Sequence, residues 1–250
     1  MTTLDTRIRS RRLMERLGAE LVGAPLVAGI LILGTALLVG AVATFGSGDI
    51  NASGWESAAQ VARWYAGGVG VYATAVFLPL FVTHGYTRRE YTAQVPFFLV
   101  AFALAFSLSM TIGYVLEGLI YDWLGWEQGL TNQHIYGTPD EYGLVLLEFV
   151  TVGAVWSGVG AALGGAFYRR PALGMVLVPV GIVMIALVEL AAGPGYAGPL
   201  TAVTGLPVLS DIFGTPTASV AVAVSVASFL AALALMWVIV KDVPIRTKKS

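Results

Sequence analysis

The sequence predicts an all-α integral membrane protein with six transmembrane helices, and three observations carry that prediction. Hydrophobic residue types make up 57% of the 250 residues and charged types only 12%, whereas an ordinary soluble domain holds about 25% charged residues. Six stretches are apolar over the ~20 residues a helix needs to cross a hydrocarbon core about 30 Å thick. Thirteen of the 14 Lys and Arg fall outside these stretches, on the side that the positive-inside rule makes cytoplasmic. The 30 glycines, spread through the apolar runs, suit helices that approach one another closely in a bilayer.

The elements follow in chain order within a single permease-like domain, residues 1–250. Over residues 4–20, Leu4, Ile8, Leu13, Met14 and Leu17 recur at helical spacing with Arg7, Arg9, Arg11, Arg12 and Arg16 between them. That pattern predicts an amphipathic helix lying in the cytoplasmic interface. No small-residue cleavage site follows a short apolar region, so this segment is expected to be retained. Transmembrane helices are expected at 21–45, 61–82, 95–121, 142–167, 171–192 and 218–240, followed by a cytoplasmic tail over 241–250.

Orientation comes from the basic residues. They occupy the N-terminal tail, the 88–89 and 169–170 connections and the C-terminus, which places both termini inside, and only Arg63, at the outer mouth of the second span, departs from this. The opposite connections carry Asp49, Glu56, Asp122, Glu127, Asp140, Glu141 and Asp211. Residues 193–216 are too apolar for a plain loop and too interrupted by Gly and Pro to span, which predicts a re-entrant outer segment held against the bundle.

Between the second and third spans stands VTHGYTRREYTAQVP. Thr87 followed by Glu90 has the spacing of a capping box, which starts a helix at Arg88. Pro96 lacks an amide proton and disfavours helical geometry at Val95, which predicts a break or kink about two turns later. A short separate cytoplasmic helix over 84–94 is therefore expected, with Tyr86, Arg88, Arg89 and Tyr91 exposed for a partner, because aromatic and Arg side chains dominate interface energy.

Taken with HGYTRREY, the interfacial helix, six spans and re-entrant segment, the chain resembles the permease subunits of ABC-2-type ABC transporters. The resemblance implies an export permease that pairs with a second permease chain and binds separate ATP-hydrolysing subunits. His84, Tyr86, Thr87, Arg88, Arg89, Glu90 and Tyr91 would be the coupling residues. It implies no cofactor on this chain, with ATP and Mg held by the partner subunit. In agreement, no Gly-x-x-x-x-Gly-Lys-Ser/Thr phosphate loop occurs in the sequence.

Glu117, Glu148 and Glu189 interrupt spans three, four and five at similar depth. Ionisable groups there are costly and face a bundle interior or a wet cavity. They are candidates for an outer gate, bonded to one another or to Thr111 and Tyr114, or for structural anchors. No histidine is expected beside them, which disfavours a metal. Span four also carries Gly153, Ser157, Ala161 and Gly165 at four-residue intervals, with Gly160 and Gly164 alongside, a pattern expected to pack within the chain. Trp55, Trp64, Tyr121, Trp123, Trp126 and Tyr136 read as an interfacial belt.

The absence of cysteine excludes disulfides, thiolate metal sites and cysteine nucleophiles. Neither His-Glu-x-x-His nor Gly-x-Ser-x-Gly occurs. Nothing points to nucleic acid. The competing readings are a stand-alone carrier or channel and, with less support, an intramembrane enzyme.

Overall fold

A computed structural model describes residues 52–193 and 216–243. The expected interfacial helix at 4–20, the first span at 21–45, residues 194–215 of the expected re-entrant segment and most of the tail lie outside the described residues. Among the described residues all regular structure is helical: α1 (Gly54–Ala75), α2 (Phe77–Thr83), α3 (Arg88–Leu124), α4 (Tyr142–Arg169), α5 (Pro171–Ala192) and α6 (Ala218–Val240). With α1 and α2 taken together, five of these segments are long and apolar enough to cross a membrane. They correspond to the second to sixth expected spans.

Each helix has a local reason to begin where it does. Ser53 caps α1 by accepting from the amide of Glu56 at 3.1 Å. This places the start of α1 seven residues before the expected boundary at Val61, since Glu56 belongs to the helix and is buried. Thr87 and Glu90 form the expected capping box, with Glu90 N to Thr87 Oγ1 at 3.2 Å and Thr87 N to Glu90 Oε2 at 2.8 Å. Pro171 opens α5, where its missing amide costs nothing, and Gly193 closes it in the left-handed region at φ 88°.

The expected separate helix at 84–94 is not formed. Residues 84–87 make a turn through Gly85 at φ 86°, and Arg88 then begins one helix of 37 residues that runs through Pro96. A proline removes one donor, and in a bundle neighbouring groups compensate the loosened turn. Here Tyr91, Val95 and Leu99 are all buried, so one packed face spans the proline and holds the helix together across it.

Helix α4 lies at the centre, packed against α1, α3, α5 and α6. Its small residues do face into the molecule. Gly160 and Gly164 meet the backbone of Gly67 and Val71 on α1, Gly153 meets Phe106 of α3, and Gly158 meets Phe229 of α6. Without side chains at these points, the α1 and α4 backbones come into direct contact. Buried side chains gather in two groups. One surrounds Trp55, Phe106, Tyr114, Phe149 and Trp156, and the other surrounds Phe81, Tyr91, Leu99, Met236 and Val240. The second lies toward the end that bears Arg88, Arg89, Arg169, Arg170 and Lys241, here the basic end; Arg169 Nη1 reaches the carbonyl of Ile239 there at 3.1 Å.

Candidate functional site

At the other end, the α3–α4 connection, residues 125–141, folds back onto the bundle. Gly125 turns the chain at φ 72°, Ser53 N bonds to Gly129 O at 2.7 Å, and three buried carboxylates from three helices then hold the connection. Glu117 of α3 accepts from Gln128 Nε2 at 2.8 Å, and also from Ser53 Oγ at 2.5 Å and the amide of Trp55 at 2.7 Å. Glu56 of α1 accepts from the amides of Thr131 and Asn132, both at 2.8 Å, and from Asn132 Nδ2 at 2.6 Å. Glu148 of α4 takes the amide of Ile135 at 3.2 Å.

His134 descends from this connection between two of them. Its Nδ1 lies 2.8 Å from Glu148 and its Nε2 3.2 Å from Glu56, so a doubly protonated ring donates to both. Its face stacks on Tyr136 at 4.5 Å between centroids, and the Tyr136 hydroxyl donates to Tyr114 at 3.1 Å. From Glu148 the network continues inward. Arg63 Nη2 is 3.7 Å from Glu148, Arg63 Nη1 is 2.6 Å from Glu189, and Trp156 Nε1 donates to Glu189 at 2.7 Å. The guanidinium also lies over Phe149, 5.9 Å from the ring centroid.

The three glutamates singled out in the sequence therefore divide. Glu148 and Glu189 are linked through Arg63, whereas Glu117 bonds to a different set of partners. Thr111 donates to Ser107 O and Tyr114 accepts from Tyr136, so these hydroxyls have partners other than the three glutamates. A histidine does accompany the carboxylates, contrary to expectation, and Arg63 is buried at 2% exposure rather than open at a mouth. Glu56, Arg63, His134 and Trp156 are members of the network that the sequence does not place with the glutamates. A signal for two of them exists: Glu56 and Arg63 are seven residues apart, hence on one helical face. The aromatic belt also divides, with Trp64 and Trp123 exposed and Trp55, Tyr121 and Tyr136 buried. Among the described residues no group of three His, Asp or Glu is arranged to hold a metal ion.

Burial opposes a charge on His134, but its hydrogen bonds to Glu148 and Glu56 outweigh that and push its pKa up to about 9. An unfolded histidine titrates near 6.5, at about the ordinary value. Because the folded value is raised, the stabilisation is complete below the unfolded value and is lost as pH rises through the folded one. Thermal melting in detergent should therefore be flat below about pH 6.5, fall between there and about pH 9, and level off above. His134→Gln should remove that fall. A fall of equal size and midpoint in the variant would assign it to another group.

The coupling residues named from the sequence lie together at the basic end, on the turn and the start of α3. Arg89 is exposed; Tyr86, Arg88 and Glu90 are half-buried. His84 is exposed and its Nδ1 lies 2.7 Å from Leu80 O. Tyr91 differs from expectation. It is fully buried, and its hydroxyl donates to Ala73 O at 2.6 Å, because the capped helix starts three residues earlier and turns this position onto α1.

No protein-family model, curated protein or solved structure matches the chain. The five helical segments long and apolar enough to cross a membrane are those of a multi-pass helical membrane protein.

Proposed function

We propose that the chain is the transmembrane permease subunit of an ATP-driven exporter of the ABC-2 type in a bacterial plasma membrane, with both termini cytoplasmic. The observation that carries this reading is the turn at the basic end. It joins two spans, is stiffened by the Thr87–Glu90 capping box and by Phe81 against Tyr86 at 4.5 Å, and leaves Arg89 exposed. Such a surface suits docking of a soluble ATPase subunit, which would supply ATP and Mg; a second permease chain, identical or related, would complete the transporter. The scarcity of charge in the spans favours an amphipathic, peptide, drug or lipid-like cargo.

Mild-detergent purification of the tagged chain from its host, followed by mass spectrometry, tests the assignment. An ATPase should accompany the chain in fixed proportion, and Arg88→Glu with Arg89→Glu should release it while the permease stays in the membrane. Recovery of the chain alone after cross-linking would favour a stand-alone carrier or channel. One feature supports that second reading: ionisable residues within spans often mark ion or proton pathways, and Arg63, Glu148 and Glu189 are such residues.

A further inference from the structure

We infer that the ends of α4, α5 and α6 at the basic end form a docking surface for the headgroup of an anionic phospholipid, with Arg170 and Lys241 as its two cationic arms. Helix length sets the depth of these residues. Helix α5 has 22 residues and α6 has 23. At 1.5 Å per residue each is about 33–35 Å long, close to the ~30 Å of a hydrocarbon core, so residues just past their ends stand at headgroup level. Arg170 directly precedes α5, Lys241 directly follows α6, and both are exposed.

Packing brings the two cations to one corner. Arg169, the last residue of α4, donates from Nη1 to Ile239 O at 3.1 Å, which fastens the α4–α5 turn to the final turn of α6. Leu173 of α5 and Val240 of α6 join the same apolar cluster. The Lys241 ammonium lies 5.1 Å from the centroid of the exposed Trp237 ring, an attraction that holds the charge at the edge of the apolar surface. Away from this corner both helices bare apolar flanks, with Met175, Val176 and Val180 on α5 and Leu230 and Val238 on α6. A lipid answers both features, its chains on the flanks and its phosphate between the cations. Asp242 is an exposed carboxylate beside them, but the sequence continues to Arg246, Lys248 and Lys249, so basic charge prevails. Cations gathered just beyond a span attract anionic lipid at the membrane surface. This surface is independent of any ATPase and would serve a stand-alone carrier equally.

Native mass spectrometry of the full chain in detergent, with dioleoylphosphatidylglycerol and dioleoylphosphatidylcholine added at equal concentration, provides the test. The chain should retain phosphatidylglycerol in preference to phosphatidylcholine. Arg170→Gln with Lys241→Gln should lower that preference by about 10- to 30-fold, the loss expected of two basic side chains near a charged surface. Both residues are exposed, so the variant should melt with the parent in lipid-free detergent. Arg89→Gln is the comparison. It removes an exposed cation from the same end, but on α3 beside Glu90, and should leave the preference intact. Equal retention of the two lipids by the parent chain would overturn the proposal. So would an unchanged preference in the double variant, or an equal loss in Arg89→Gln, which would reduce the effect to the net charge of the basic end. Displacement of the lipid by inorganic phosphate would point to a soluble anion and overturn it as well.

Discussion

Gly70→Ala should separate α1 from α4 and leave a protein that no longer holds its central helix pair. The added methyl would collide with the carbonyl oxygen of Ser157 and stand 2.8 Å from the amide of Ala161. Across the contact, a methyl at Gly160 would collide with Gly67 O, and one at Gly164 would stand 2.6 Å from Val71 O. The obstacles are backbone atoms, so no rotamer change relieves them and the helices themselves must part. Overpacking commonly costs about 1–3 kcal/mol, and more when the surroundings cannot give; Gly70 and Gly160 belong at or above the upper end. Gly68 supplies the control. It lies two residues away on the same helix, is exposed, and offers a methyl open space with no atom within 4 Å, so Gly68→Ala should be neutral or gain up to about 1 kcal/mol of helix propensity. Melting of the three variants in detergent decides the matter. Gly70→Ala and Gly160→Ala as stable as Gly68→Ala would mean that α1 and α4 do not pack backbone to backbone.

That contact also illustrates what the sequence makes legible. Small residues four apart in the fourth span reveal a flat helix face by local arithmetic, but the partner face on α1, with Gly67 and Gly70, is fixed by a match between distant segments that no single window contains. The capping box at Thr87 could be read because all its parts lie within four residues. The fate of Pro96 could not, because one lost hydrogen bond is weighed against the burial of Tyr91, Val95 and Leu99 on either side of it, and packing prevails. The ionic network follows the same division. Carboxylates inside apolar runs announce themselves, so Glu148 and Glu189 stand out. Their partners do not: Arg63 is 126 residues from Glu189, and His134 sits in a polar connection whose hydropathy gives no sign that it folds inward. Hydropathy locates the cost of a buried charge, and only the assembled bundle reveals which group offsets it.

The largest loss from a single substitution in that network is expected for Arg63→Ala. Glu189 is fully buried and accepts from Arg63 at 2.6 Å and from Trp156 at 2.7 Å. Removing the guanidinium leaves two carboxylates, Glu148 and Glu189, without their shared cation, and breaking one side of a buried pair costs about 3–5 kcal/mol. Glu189→Gln alone should cost less, since Arg63 keeps Glu148 at 3.7 Å and the amide oxygen can still accept from Trp156. The informative variant is the double one. In Arg63→Ala with Glu189→Gln the uncompensated charge is gone, so stability should recover above that of Arg63→Ala even though a second native group has been lost. Arg63→Lys should fall between the parent and Arg63→Ala, because an ammonium preserves the charge without the planar fork that spans two carboxylates. Melting midpoints of the four variants in detergent or nanodiscs give the comparison. Additive losses in the double variant would show that Arg63 and Glu189 contribute separately, and the network would then be a set of neighbours instead of a brace that holds α1 to α4 and α5.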